Sequence, residues 1–188
     1  MSEITVKNEI VDLLKKVNRE GIDKLIDFLD RTDFYEAPAS TKFHNNFKGG
    51  LAEHSLNVYK ELKELTNNNW SDETLIIVGI LHDLCKVNTY KVEMRNKKNQ
   101  DTGVWYQEPY YTTEDMMPLG HGEKSVMLIS EFIKLTKEEL YAIRWHMGGF
   151  EPKENYNYIS KAFEKYPLAV YAHMADIKAT YIDETINR

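Results

Sequence analysis

The sequence predicts an all-α fold, a helical bundle carrying one small β-hairpin inserted at about residues 90–113. Three observations predict it. Apolar residues recur at helical spacing over most of the chain, residues that start helices stand where those patterns begin, and strand formers dominate in one stretch only. The first helix is expected around Ile10, Leu13, Leu14 and Val17, and Gly21 breaks it. Ile22, Leu25, Ile26 and Leu29 begin the second with i, i+3, i+4, i+7 spacing. Residues 33–41 read as loop around Pro38.

Gly49-Gly50 introduces a helix from about Leu51 to Leu65. Ser71 is placed to cap the next, with Thr74 at its third position, and that helix is expected to reach about Lys86. In the hairpin, Val92, Met94, Val104, Tyr106, Tyr110 and Tyr111 favour strands, and Asp101-Thr102-Gly103 lies between the two arms. Helices resume over about Gly122–Leu135. Thr136 and Glu139 then form a capping box for a helix ending near Met147-Gly148-Gly149. Pro167 opens a last helix running towards Ile186.

No composition shift divides the 188 residues, so one domain is expected: N-terminal helices and loop over 1–40 and a core over 42–184. Cys85 is the only cysteine, which excludes an internal disulfide and fits a reducing compartment. Met1 to Glu9 lack the apolar centre of a secretory leader, and the longest apolar run, Leu75–Leu81, is too short to span a bilayer. A cytoplasmic chain with no membrane partner is expected. A net charge of −6 disfavours a surface for duplex nucleic acid, although a metal site can still attract a small phosphorylated substrate.

The strongest chemical signal is Leu75-Ile-Ile-Val-Gly-Ile-Leu-His82-Asp83, an apolar helix that delivers an imidazole and a carboxylate at its buried end. A buried, unpaired carboxylate is unfavourable, and a metal ion removes that penalty. His54 lies on the inner stripe of the preceding helix, with Leu51, Leu56 and Val58. Asp176 lies on another mostly apolar helix. Three separate helices thus bury one polar ligand type each among aliphatic residues.

His54, then His82-Asp83, then Asp176, in that order on separate helices, resembles the signature of the HD-domain superfamily. The flanks agree: Gly49-Gly50-Leu51-x-x-His54 resembles its GGLxxH opening, and His82-Asp83-Leu84-Cys85-Lys86 its HDxxK motif. The resemblance covers about residues 42–184. It implies a metal-dependent phosphohydrolase with one or two divalent ions (Mn, Fe, Ni, Co, Zn or Mg). In the binuclear branch two later histidines hold a second metal, and His121 and His146 stand in those places. Carried over, one metal would take His54, His82, Asp83 and Asp176, and the other Asp83, His121 and His146. Two such cations would activate a bridging water for attack on phosphorus.

The resemblance has departures. His146-Met147-Gly148-Gly149-Phe150 replaces the His-His-Glu and Gly-Tyr-Pro signature of cyclic-dinucleotide phosphodiesterases in this superfamily. Cys85 stands where many relatives have glycine, and it reads as a small buried residue. Lys86 is the first candidate to stabilise transition-state charge beside Asp83, with Lys124 and Arg144 as weaker candidates. His44 and His173 are further candidates to face the substrate. The hairpin's Arg95, Lys97 and Lys98, with Trp105, Tyr106, Tyr110 and Tyr111, would suit a nucleotide. The expected substrate is therefore a nucleotide or a nucleic-acid phosphate ester. The ligand order also resembles diiron oxygenases related to myo-inositol oxygenase, and a metal-bound regulatory module is a third reading.

Overall fold

The computed structural model describes residues 3–43, 45–67 and 69–184. Eight α-helices and one two-stranded sheet are described. α1 (Glu3–Leu14) begins earlier than expected, and Val17 is buried beyond its end. α2 (Ile22–Arg31) turns Ile22, Leu25, Ile26 and Leu29 inward, as their spacing requires. The loop that follows is tied to the start of the next helix, where the Leu51 N–H donates to the Ala37 carbonyl, and within it the Ala39 N–H donates to the Asn45 carbonyl.

α3 (Gly50–Thr66) and α4 (Asp72–Leu81) form the centre with α8 (Pro167–Lys178), and α6 (Lys137–Trp145) packs on α8 and α4. Ser71 caps α4 by accepting from the Thr74 N–H at 3.2 Å. Thr136 and Glu139 make both bonds of the capping box. α4 is apolar nearly all round because α1, α3 and α6 all pack on it. α5 (His121–Ser130) packs on α6 and on the short 3₁₀ turn Leu84–Lys86.

The helix expected to reach Lys86 stops at Leu81. The His82 ring donates from Nδ1 to the Gly79 carbonyl at 2.9 Å and so competes for the acceptor that a continuing helix would use. His146 does the same at the end of α6, donating from Nδ1 to the Ile143 carbonyl at 2.7 Å. Sequence reading also missed α7 (Tyr156–Lys165) and the 3₁₀ turn before it. The last helix keeps α-geometry only to Lys178, and residues Ala179–Asp183 form a wider π-turn. Ile186, the expected end, lies outside the described residues.

β1 (Tyr90–Lys98) pairs antiparallel with β2 (Trp105–Thr113), from Tyr90 opposite Thr113 to Lys98 opposite Trp105. Asn99 closes the turn by accepting from the Asp101 and Thr102 N–H groups. The fold is thus mostly helical with one hairpin. Among the described residues no helix is long and apolar enough to cross a membrane.

Candidate metal centre

Asp83 stands at the break between α4 and the following 3₁₀ turn, buried at the centre of the cluster. Its two oxygens face different partners. Oδ2 lies 3.6 Å from His82 Nε2, 3.8 Å from His54 Nε2 and 2.6 Å from Lys86 Nζ. Oδ1 lies 2.6 Å from His121 Nε2 and 3.4 Å from His146 Nε2. Asp176 reaches across from α8, with Oδ1 3.3 Å from His54 Nε2.

Hydrogen bonds fix which ring nitrogens face inward. A carbonyl only accepts, so Nδ1 of His82 and of His146 must carry a proton, and Nε2 is the ring atom that each turns to the cluster. Those two buried Nε2 atoms have no hydrogen-bond partner among the described residues. His54 turns Nδ1 to Glu184 Oε1 at 2.9 Å, which likewise aims Nε2 at Asp176 and Asp83.

The electrostatics show how tightly the groups are coupled. Burial pushes His82 down to about 3. Burial also opposes charge on His54, but Asp176 and Glu184 outweigh it and raise that ring to about 10. Asp83 is held well below the usual carboxylate range, because Lys86, His82 and His121 overcome its burial. Burial would raise Asp176 too, yet the His54 hydrogen bond and charge lower it.

This donor set fits a divalent metal. Three groups of ligand atoms each lie within 4.8 Å of one another: His54, His82 and Asp83; His82, His146 and Asp176; and Asp83, His121 and His146. The inward Nε2 atoms of His82 and His146, without a hydrogen-bond partner among the described residues and beside two carboxylates held ionised, are what a cation would complete. Nitrogen and oxygen donors without a thiolate suit several first-row metals and Mg. Buried Cys85 is not in the cluster, and burial raises its thiol to about 12.

A cavity of about 470 Å³ opens over the cluster. Asp83, Lys86, His121 and Asp176 form its polar floor, with Phe43, Phe150 and Tyr181 among its walls. Lys86 is anchored there by donating to the Ala39 carbonyl at 2.7 Å. Lys124 lies outside this cavity. It is buried beside a smaller one of about 190 Å³ and donates to Asp115 at 2.6 Å. Arg144 pairs with Glu123 and Glu151 and stacks on Trp145. His173 donates from Nδ1 to the His146 carbonyl at 2.7 Å, so it supports the backbone of a cluster residue and does not line the cavity. His44 lies outside the described residues.

The hairpin does not line the cavity either. Arg95 and Lys97 are taken up by Glu108. The group that sequence reading missed is Glu184, because no motif marks it and its reach to His54 depends on the π-turn.

No curated protein and no solved structure was found to match the chain. A model of the HD domain family matches residues 51–184, a span that takes in His54, His82, Asp83, His121, His146 and Asp176. The motif order and the histidine–aspartate cluster that this span folds into agree with that match, and the chain belongs to the HD domain family, a superfamily of metal-dependent hydrolases.

Proposed function

We propose that the chain is a cytoplasmic metal-dependent phosphohydrolase acting on a nucleotide or a similar small phosphate ester. The observation that carries this reading is the division of the Asp83 carboxylate, with Oδ2 towards His54 and His82 and Oδ1 towards His121 and His146. One carboxylate facing two histidine pairs suits a bridge between two cations. His54, His82, Asp83 and Asp176 would hold one, and Asp83, His121 and His146 the other. When bound, such ions supply Lewis-acid stabilisation of phosphate oxygens and an activated water.

The chain's own residues supply the rest. Lys86 projects into the cavity from a fixed position between Asp83 and the Ala39 carbonyl, where its charge meets a phosphate oxygen. Burial opposes charge on Lys86, but Asp83 keeps it protonated by raising it above the usual lysine value. Phe43, Phe150 and Tyr181 offer faces on which a base stacks, and the apolar walls exclude water from the floor. Among the described residues that line the cavity Lys86 is the one lysine or arginine, and a single such charge suits an ester with few phosphates.

The test is phosphate release from nucleoside mono-, di- and triphosphates in the presence of Mn²⁺. Turnover of a monophosphate ahead of the triphosphate supports the full reading. Turnover of none, together with dioxygen consumption by the iron-loaded protein, would replace it with an oxygenase.

A further inference from the structure

Glu184 is as buried as the cluster itself, with its side chain and that of His54 each 1% exposed. Oε1 accepts from His54 Nδ1 at 2.9 Å and from Asn57 Nδ2, further along α3, at 3.2 Å. Oε2 has no hydrogen-bond partner among the described residues. Burying a carboxylate this deep is costly, and the contacts that offset the cost run to His54 and Asn57 of α3.

The backbone that delivers it is also unusual. On a continuous α-helix residue 184 would stand roughly 80° around the axis from Asp176, at about 100° per residue. The π-turn Ala179–Asp183 takes up one extra residue, and the Glu184 N–H bonds back five positions to the Ala179 carbonyl at 3.0 Å. Glu184 then stands where a seventh residue after Asp176 would, about two full turns on and on nearly the same face. Asp176 and Glu184 therefore approach His54 from one helix, on its two ring nitrogens. Thr180 and Tyr181, in the same turn, line the cavity.

We propose that Glu184 is a positioning residue for metal binding: its carboxylate holds the His54 imidazole with Nε2 directed at the site shared with Asp83 and Asp176, and increases that nitrogen's donor strength. This rests on the reading of the cluster as a metal centre. A histidine ligand whose other nitrogen donates to a carboxylate is fixed in tautomer and rotation, and is a stronger base.

Co²⁺ is a suitable probe, because its visible bands report coordination without any turnover. Chelator-stripped full-length protein is titrated with Co²⁺ against a chromophoric chelator, for the wild type, Glu184→Ala and Glu184→Gln. Glu184→Ala is expected to bind Co²⁺ about 10–100-fold more weakly with shifted bands. Glu184→Gln, which keeps an acceptor for Nδ1 but not the charge, is expected to recover part of the loss. Wild-type affinity and bands in Glu184→Ala would overturn the proposal; if that variant does not fold, wild-type affinity in Glu184→Gln overturns it. A wild-type protein that takes up no Co²⁺ removes the metal reading itself, and the role of Glu184 with it.

Discussion

Gly79 of α4 meets Tyr59 of α3 so closely that a Cβ at position 79 would lie 2.5 Å from the Tyr59 Cα. The obstacle is backbone, which cannot rotate away. The same helix pair carries His54 and His82, whose rings stand 5.3 Å apart. Gly79→Ala should therefore force the helices apart and destabilise the protein by about 1–3 kcal/mol, as overpacking does. Urea unfolding checks this, and an unchanged midpoint would mean that the helices separate freely.

Lys86 differs from the ligands in what its loss should do. Its charge lies 2.6 Å from Asp83 Oδ2, and it also lines the cavity. Lys86→Met is expected to lower kcat/KM by about 100-fold or more, the scale seen when one donor to a developing negative charge is removed. Metal uptake should persist, because the six candidate ligands remain. Steady-state kinetics beside a metal titration separates the two effects.

Away from the centre, Glu139 ties the N-terminal helices to α6. It accepts from both terminal nitrogens of Arg19 and from Thr74, and it caps α6 through the Thr136 N–H. Burial works against its charge, but the Arg19 hydrogen bond and these other donors prevail and lower its value below the ordinary 4.5. A depressed folded value means that the stabilisation is present above the unfolded value and is lost as pH falls through the folded one. The wild type should accordingly lose stability as pH drops below about 4.5. Glu139→Gln should be less stable at pH 7 and should lose less on acidification. Denaturant midpoints at pH 7 and pH 4 measure both, and parallel losses in the two proteins would contradict this role.

The parts that were legible in the sequence are those written in local chemistry. Ser71 and the Thr136–Glu139 pair announce helix starts through side chains that bond three residues ahead. The apolar run before His82-Asp83 announced a buried polar pair, and the six residues named as candidate metal ligands do come together around Asp83. What was not legible depends on contacts between distant segments. Lys124 and Arg144 resemble substrate cations in a list of residues, but Asp115 and Glu151 claim them in the fold. Glu184 lies 130 residues from His54, and only the π-turn joins them. α7 is the exception, because Ile159, Ala162, Phe163 and Tyr166 stand at i, i+3, i+4 and i+7, a local stripe that the sequence reading passed over.

Whether the cluster around Asp83 is a hydrolytic metal centre is read from hydrolysis of p-nitrophenyl phosphate and bis-p-nitrophenyl phosphate by the Mn²⁺-loaded protein, with Asp83→Asn as control. Release of p-nitrophenol from at least one of them is expected. Chelation should abolish that release, and a folded Asp83→Asn protein should lose at least about 100-fold, more than the loss of a residue that only supports a ligand. Release that survives both treatments would contradict a hydrolytic metal centre there, and so would no release of p-nitrophenol or of phosphate from nucleotides by protein shown to carry metal.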